Sequence, residues 1–174
     1  PTFRYPIWMN EGMAEYYGTA NIDEKGRFIV GGQQDGRIVG MRKERTDNKF
    51  RRLHDVLVTP QGEFDAFDYG YAWSFTHFLM TSPKYGSAYR GFFANLPENK
   101  DLEIKLENIY GYDRAAIGQV ELEDVMDALE RRLGKSIDEL EKEWLVYFDQ
   151  AYGEMGPEAY YLAAKLALGT ERDH

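Results

Sequence analysis

The sequence predicts a mainly α-helical fold, with about six helices and one small, irregular β hairpin. Three stretches carry that prediction. From Phe64 to Met80, the side chains of Phe67, Tyr71, Phe75, Phe78 and Leu79 recur at helical intervals, and Pro83 follows as a stop. From Glu121 to Leu133, Leu122, Val125, Met126, Leu129 and Leu133 keep the same spacing, and Gly134 ends the run. Ser136-Ile137-Asp138-Glu139 has the form of a capping box, and it opens a helix through Leu140, Trp144, Tyr147 and Phe148 to Tyr152.

Taken in order, Pro6 to Gly18 reads as a first, short helix. Proline suits a first turn because its missing N–H has no partner there in any case, and Gly18 is a natural C-terminal stop. Glu11 and Glu15 are four residues apart, so both carboxylates project from one face. Trp8, Met9, Met13 and Tyr16 surround them with apolar bulk. Two acids in such a setting are unfavourable unless something positive meets them, and a metal ion or a histidine would serve. From the residues alone the other reading stays open: a solvated acidic face on a helix whose large side chains are core.

Beyond Gly18, glycines are frequent and helix formers few. Arg27 to Val30 and Arg37 to Met41 read as two strands joined through Gly31-Gly32-Gln33-Gln34-Asp35-Gly36, either a loop at the mouth of a site or an ordinary surface hairpin. Arg42 to Arg52 is strongly basic, but it is short, has Phe50 as its one aromatic and sits in an acidic chain, so it reads as a solvated face. Leu53 to Val58 is a short helix or a strand, and His54 within it is a surface or structural histidine. The helix from Phe64 is apolar around much of its circumference and belongs at the centre of the core, with His77 as a packing residue. Ser87 to Leu96 is a further helix stopped by Pro97, and Leu102 to Tyr110 is ambiguous between helix and strand. Gly156-Pro157 breaks the chain ahead of a last amphipathic helix, Glu158 to Leu168, which divides a body at 1–155 from a C-terminal helix and tail at 156–174.

Composition narrows the classes. The 174 residues are 43% hydrophobic and 15% aromatic, enough for one domain with a real core. With 21 basic and 30 acidic residues the net charge is −9, which argues against nonspecific binding to nucleic acid or anionic membranes. No apolar run is long enough to span a bilayer. The absence of cysteine removes disulfides and thiol catalysis, and leaves the compartment open.

Trp8-Met9-Asn10-Glu11-Gly12-Met13-Ala14-Glu15-Tyr16 resembles the second zinc motif of the gluzincin metallopeptidases (the peptidase MA clan), W-L-N-E-G-x-A-E-Y, and is nearest to bacterial DUF1570-like members of unknown function. The resemblance implies that Glu11 is the third ligand of a His₂Glu zinc site, and that Glu15, one turn on, holds a zinc-binding histidine in its tautomer. Tyr69 through Leu79 resembles the helix whose first tyrosine donates to the oxyanion. That makes Tyr69 the candidate catalytic hydroxyl, with Tyr71 as the alternative. Gly134 to Trp144 resembles the closing helix of the same domains, where its work is packing. The H-E-x-x-H half of the motif does not occur here, and the histidines are His54, His77 and His174.

The resemblance therefore implies the C-terminal lobe of a zinc-dependent peptidase, acting on a peptide or protein substrate through an upstream lobe. On that reading this chain alone is inactive and binds Zn²⁺ negligibly. A pseudo-peptidase and a free-standing helical binding module are the alternatives. An open, partly apolar face around Glu11 favours a covering lobe, and a closed, charged face favours the module.

Overall fold

The computed structural model describes residues 2–98, 104–107 and 117–153. Among these there are seven α-helices and five short strands, in the order β1 (Thr2–Arg4), α1 (Ile7–Gly18), β2 (Asn21–Ile22), β3 (Phe28–Ile29), α2 (Asp35–Thr46), α3 (Leu53–Leu57), α4 (Ala66–Thr81), α5 (Gly86–Asn95), β4 (Ile104–Glu107), β5 (Ile117–Val120), α6 (Leu122–Leu133) and α7 (Ile137–Tyr152). The fold is mainly α, as expected. None of these helices is long and apolar enough to cross a membrane.

The central helix is α4. Its residues from Gly70 to Thr76 are buried without a break, so every side of it meets protein. Helices α1, α2, α3, α5 and α7 all pack on it. Its start is a capping box one residue later than the apolar pattern suggested: Asp65 accepts from the N–H groups of Phe67 and Asp68, and Asp68 accepts in return from the Asp65 N–H. The same device, with Ser136 and Glu139, opens α7 as foreseen. Beside Lys135 and the Ser136 N–H, the Glu139 carboxyl is held down to about 2. Helix α7 buries Leu140, Trp144 and Phe148 on one stripe, and the Trp144 indole N–H donates to Ser74 at 3.0 Å.

Three expectations change. Arg37 to Met41 is not a strand but the interior of α2, which buries Ile38, Val39 and Met41 against the core. The hairpin is instead β2 with β3, closed by an Asp23 turn whose carboxylate accepts from the Lys25 and Arg27 N–H groups and pairs with the Arg27 side chain at 2.7 Å. The strand stops before Gly31, whose φ of +71° turns the chain back.

The basic run is a set of ties more than a solvated face. Arg45 pairs with Asp149 at 2.5 Å, Arg51 with the fully buried Asp68, and Arg52 with Asp138 and Glu141 of α7. Lastly, within the ambiguous stretch the described residues, Ile104–Glu107, form the strand β4. It joins β5 antiparallel and, through it, β1 in parallel, a three-stranded sheet the hydrophobic pattern did not reveal. The final helix proposed for Glu158 to Leu168 lies outside the described residues.

Candidate functional site

Helix α1 stands on a close approach to α4. Trp8, Met9, Gly12, Met13 and Tyr16 face inward. At Gly12 there is no room for a side chain, since a Cβ would fall 2.2 Å from Thr76 Oγ1 and 2.6 Å from the Ala72 carbonyl oxygen. Glu11 and Glu15 flank this buried stripe and are both half-buried. The remaining face is open: Asn10, Ala14, Tyr17 and Gly18 are exposed, and none of them is charged.

The two carboxylates differ in what holds them. Glu15 Oε1 accepts from Arg37 Nη2 at 2.6 Å, and its Oε2 accepts from Gln34 Nε2 at 2.8 Å. Arg37 also donates to the Ala66 carbonyl at 3.0 Å, and its guanidinium lies 5.1 Å from the centre of the Tyr69 ring. Arg37 thus joins the second acid of α1 to the first turn of α4, where Tyr69 sits half-buried against Phe64. Glu11 makes no hydrogen bond or ion pair among the described residues.

Tyr69 and Tyr71 are two residues apart on α4 and so point to different sides. Tyr71 is fully buried beside Phe50 and Trp144. Its hydroxyl donates to Glu44 at 2.7 Å and accepts from the Arg51 N–H at 2.9 Å, and burial pushes its pKa up. It is a strut between α4 and the chain around residue 50, which leaves Tyr69 as the tyrosine on the Glu15 side.

The histidines stand elsewhere. His54 is 44% exposed and lies near Asp55 and Glu123. His77 is packed among Tyr16, Trp73 and Tyr147, as its place on an aromatic helix suggested. Its Nδ1 meets the Tyr147 hydroxyl at 2.5 Å and its Nε2 meets the Gly31 carbonyl at 2.8 Å. The carbonyl can only accept, so Nε2 carries the proton and Nδ1 accepts from Tyr147. Burial lowers the pKa of this ring. Among the described residues no group of three or more His, Asp or Glu side chains is arranged to hold a metal. By themselves the described residues do not fit a zinc ion, which takes three or four protein ligands.

Arg37 and Gln34 escaped the sequence reading because Gly31, Gly32, Gly36 and Gly40 disguise the helix they open. A signal was present. Ile38, Met41, Arg42 and Arg45 keep three-and-four spacing, and Lys43 and Arg45 sit where a helix C-terminus favours cations.

The fold and site define a helical domain built around α4, with two acids one turn apart on the helix α1 that packs against it. Residues 2–93 match the model of the family described as Protein of unknown function (DUF1570), and the chain belongs to that family. No curated protein and no solved structure matches it.

Proposed function

We propose that this chain is the C-terminal lobe of a gluzincin-type, zinc-dependent metallopeptidase, in which Glu11 is contributed as a zinc ligand and the two histidines come from outside these residues. The observation that carries the reading is the asymmetry of the acid pair. Glu15 has a partner on each oxygen, whereas Glu11 has none among the described residues and borders an open, uncharged helix face. A half-buried carboxylate without a partner is unfavourable in an isolated domain and suits a ligand that waits for a cation. In this reading Glu15 acts on Arg37, and Arg37 fixes Tyr69, whose hydroxyl donates to the oxygen on which charge develops as a peptide carbonyl is attacked.

The test is zinc content and peptidase activity of the protein expressed from its complete gene. The wild type should carry equimolar zinc, and Glu11→Ala should lose it. Tyr69→Phe should keep the zinc and lose turnover by roughly two orders of magnitude. A wild-type protein without zinc, or a Glu11→Ala variant that keeps its full complement, overturns the proposal. One observation favours the alternative of a non-catalytic binding domain: Ile22 and Phe28 of the hairpin are 66% and 70% exposed, more than folding alone calls for. The same zinc measurement separates the two.

A further inference from the structure

The hairpin that follows α1 wears its apolar side chains on the outside. Ile22, Phe28 and Ile29 are 66%, 70% and 48% exposed. The register pairs Ile22 with Phe28 and Asn21 with Ile29, so Ile22 and Phe28 share one face of the ribbon and Ile29 stands on the other. Neither strand carries a charge, and that of the preceding Arg27 is held by Asp23 at 2.7 Å. The backbone is open as well. Among the described residues β2 and β3 pair only with each other. The Asp23 N–H donates to the Arg27 carbonyl at 2.9 Å, which makes those two a hydrogen-bonded pair. Ile22 and Phe28, next in register, are therefore a non-bonded pair whose N–H and C=O groups turn outward. On β2 the outward N–H of Ile22 is taken by Asn21 Oδ1 at 2.7 Å. On β3 the N–H of Phe28 has no partner among the described residues. Edge strands are commonly guarded by a charge or a proline, and β3 has neither.

We propose that the outer edge of β3 takes up a short, extended, uncharged peptide segment as a third strand, bonded to the N–H and C=O of Phe28. Two observations select this occupant. Apolar side chains stand bare on both faces of the ribbon. A flat surface would cover one face, whereas an added strand sends alternate side chains to each and meets Phe28 on one side and Ile29 on the other. The area is also small. Ile22 and Phe28 leave on the order of 250 Å² bare on their face, well short of the roughly 800 Å² per partner that a standard interface takes, so a second folded copy finds too little to hold. The two-residue length of β3 limits the guest to one short segment. This site lies beyond the C-terminal end of α1 and does not rest on the zinc reading. It stands whether or not Glu11 binds a metal.

The test is an amide NMR titration of the full chain with the peptide acetyl-Lys-Val-Phe-Val-Thr-Glu-amide, which has no net charge and apolar side chains on both sides of a strand. It should bind with a Kd on the order of 1 mM or tighter, and it should slow hydrogen exchange at the Phe28 N–H. The same peptide with proline in place of its second valine should bind at least about fivefold more weakly, because it loses a donor and cannot extend the ladder. Phe28→Thr and Ile29→Thr keep a strand-forming residue at exposed positions, and each should weaken binding roughly threefold or more. Sedimentation of the wild type and Phe28→Thr should show the same monomeric species. Four results would each overturn the proposal: no saturable binding, full affinity for the proline peptide, an Ile29→Thr variant that binds as the wild type does, or a dimer that Phe28→Thr dissociates. The third would mean that only one face is covered, and the fourth that a second copy occupies the edge.

Discussion

A methyl group placed on Gly12 tests most directly how the acid-bearing helix is held. The added Cβ would stand 2.2 Å from Thr76 Oγ1, 2.6 Å from the Ala72 carbonyl oxygen and 3.1 Å from its carbon. Thr76 can turn its hydroxyl away. The Ala72 carbonyl is part of the α4 backbone and cannot, so the two helices must part. Overpacking costs about 1–3 kcal/mol, and a clash against backbone belongs at the upper end. Alanine recovers about 1 kcal/mol of that through its better helix propensity. The net expectation is a loss of about 2 kcal/mol, which in a domain of this size lowers Tm by roughly 4–8 °C. The assay is thermal and urea unfolding of Gly12→Ala beside Gly18→Ala. Gly18 ends the same helix and has nothing within 4 Å of its would-be Cβ, so that substitution should be neutral or stabilise by up to about 1 kcal/mol. If Gly12→Ala matches or exceeds the wild type, α1 does not lie on α4 as described, and the placement of Glu11 fails with it.

The remaining predictions concern the groups around that helix. Glu15→Ala and Arg37→Ala should each destabilise, and a double-mutant cycle should give a coupling of about 1 kcal/mol. That is the upper end for surface pairs, because these side chains are only 19% and 31% exposed. Tyr71→Phe should lose about 1–3 kcal/mol by stripping the buried Arg51 N–H of its acceptor, whereas Tyr69→Phe should leave the unfolding midpoint nearly unchanged. For His77 the folded pKa lies below the ordinary 6.5 because the ring is buried. Protons therefore favour the unfolded chain: its stabilising contribution is complete above pH 6.5 and is lost as pH falls through the lower, folded pKa. A pH series of Tm values should show that decline in the wild type and a smaller one in His77→Gln.

Elements whose burial repeats at helical spacing were legible in the sequence, and elements defined by partners were not. The core stripes of α4, α6 and α7 each declare themselves through large apolar side chains, and a capping box marks the start of α7. Helix α2 hid because its signature is two small stretches of apolar residue among arginines and glycines. Its helicity comes from docking Ile38 and Met41 on α4, a tertiary fact. The β1–β5–β4 sheet hid for a related reason. Parallel pairing of Thr2–Arg4 with Ile117–Val120 joins segments more than a hundred residues apart, and three or four residues hold no period to read. At the site, the acid pair and Tyr69 could be named from their motifs, but Arg37 could not, since its role exists only once α2 brings it between Glu15 and Tyr69.

That bridge also changes what the acid pair means. On an isolated helix Glu11 and Glu15 are equivalent, a turn apart on the same face, and repel one another weakly. The fold breaks the equivalence by directing one arginine to one of them. Arg37 is further constrained by the Ala66 carbonyl and by the Tyr69 ring, so it cannot serve Glu11 as well without surrendering those contacts. A protein that needed only to neutralise two surface acids could have placed a second cation on α2 or left both in solvent. Here Glu15 positions α2 and α4 around the helix, and Glu11 is left half-buried and, among the described residues, unpaired beside an uncharged face. Glu15→Gln and Glu11→Gln should therefore act on different observables. The first should lower Tm because it weakens the Arg37 bridge. The second should leave Tm unchanged or raise it, because it removes an uncompensated charge. A loss of stability in Glu11→Gln equal to that of Glu15→Gln would show that Glu11 has a structural partner of its own, and would take away the ground for reading it as a ligand.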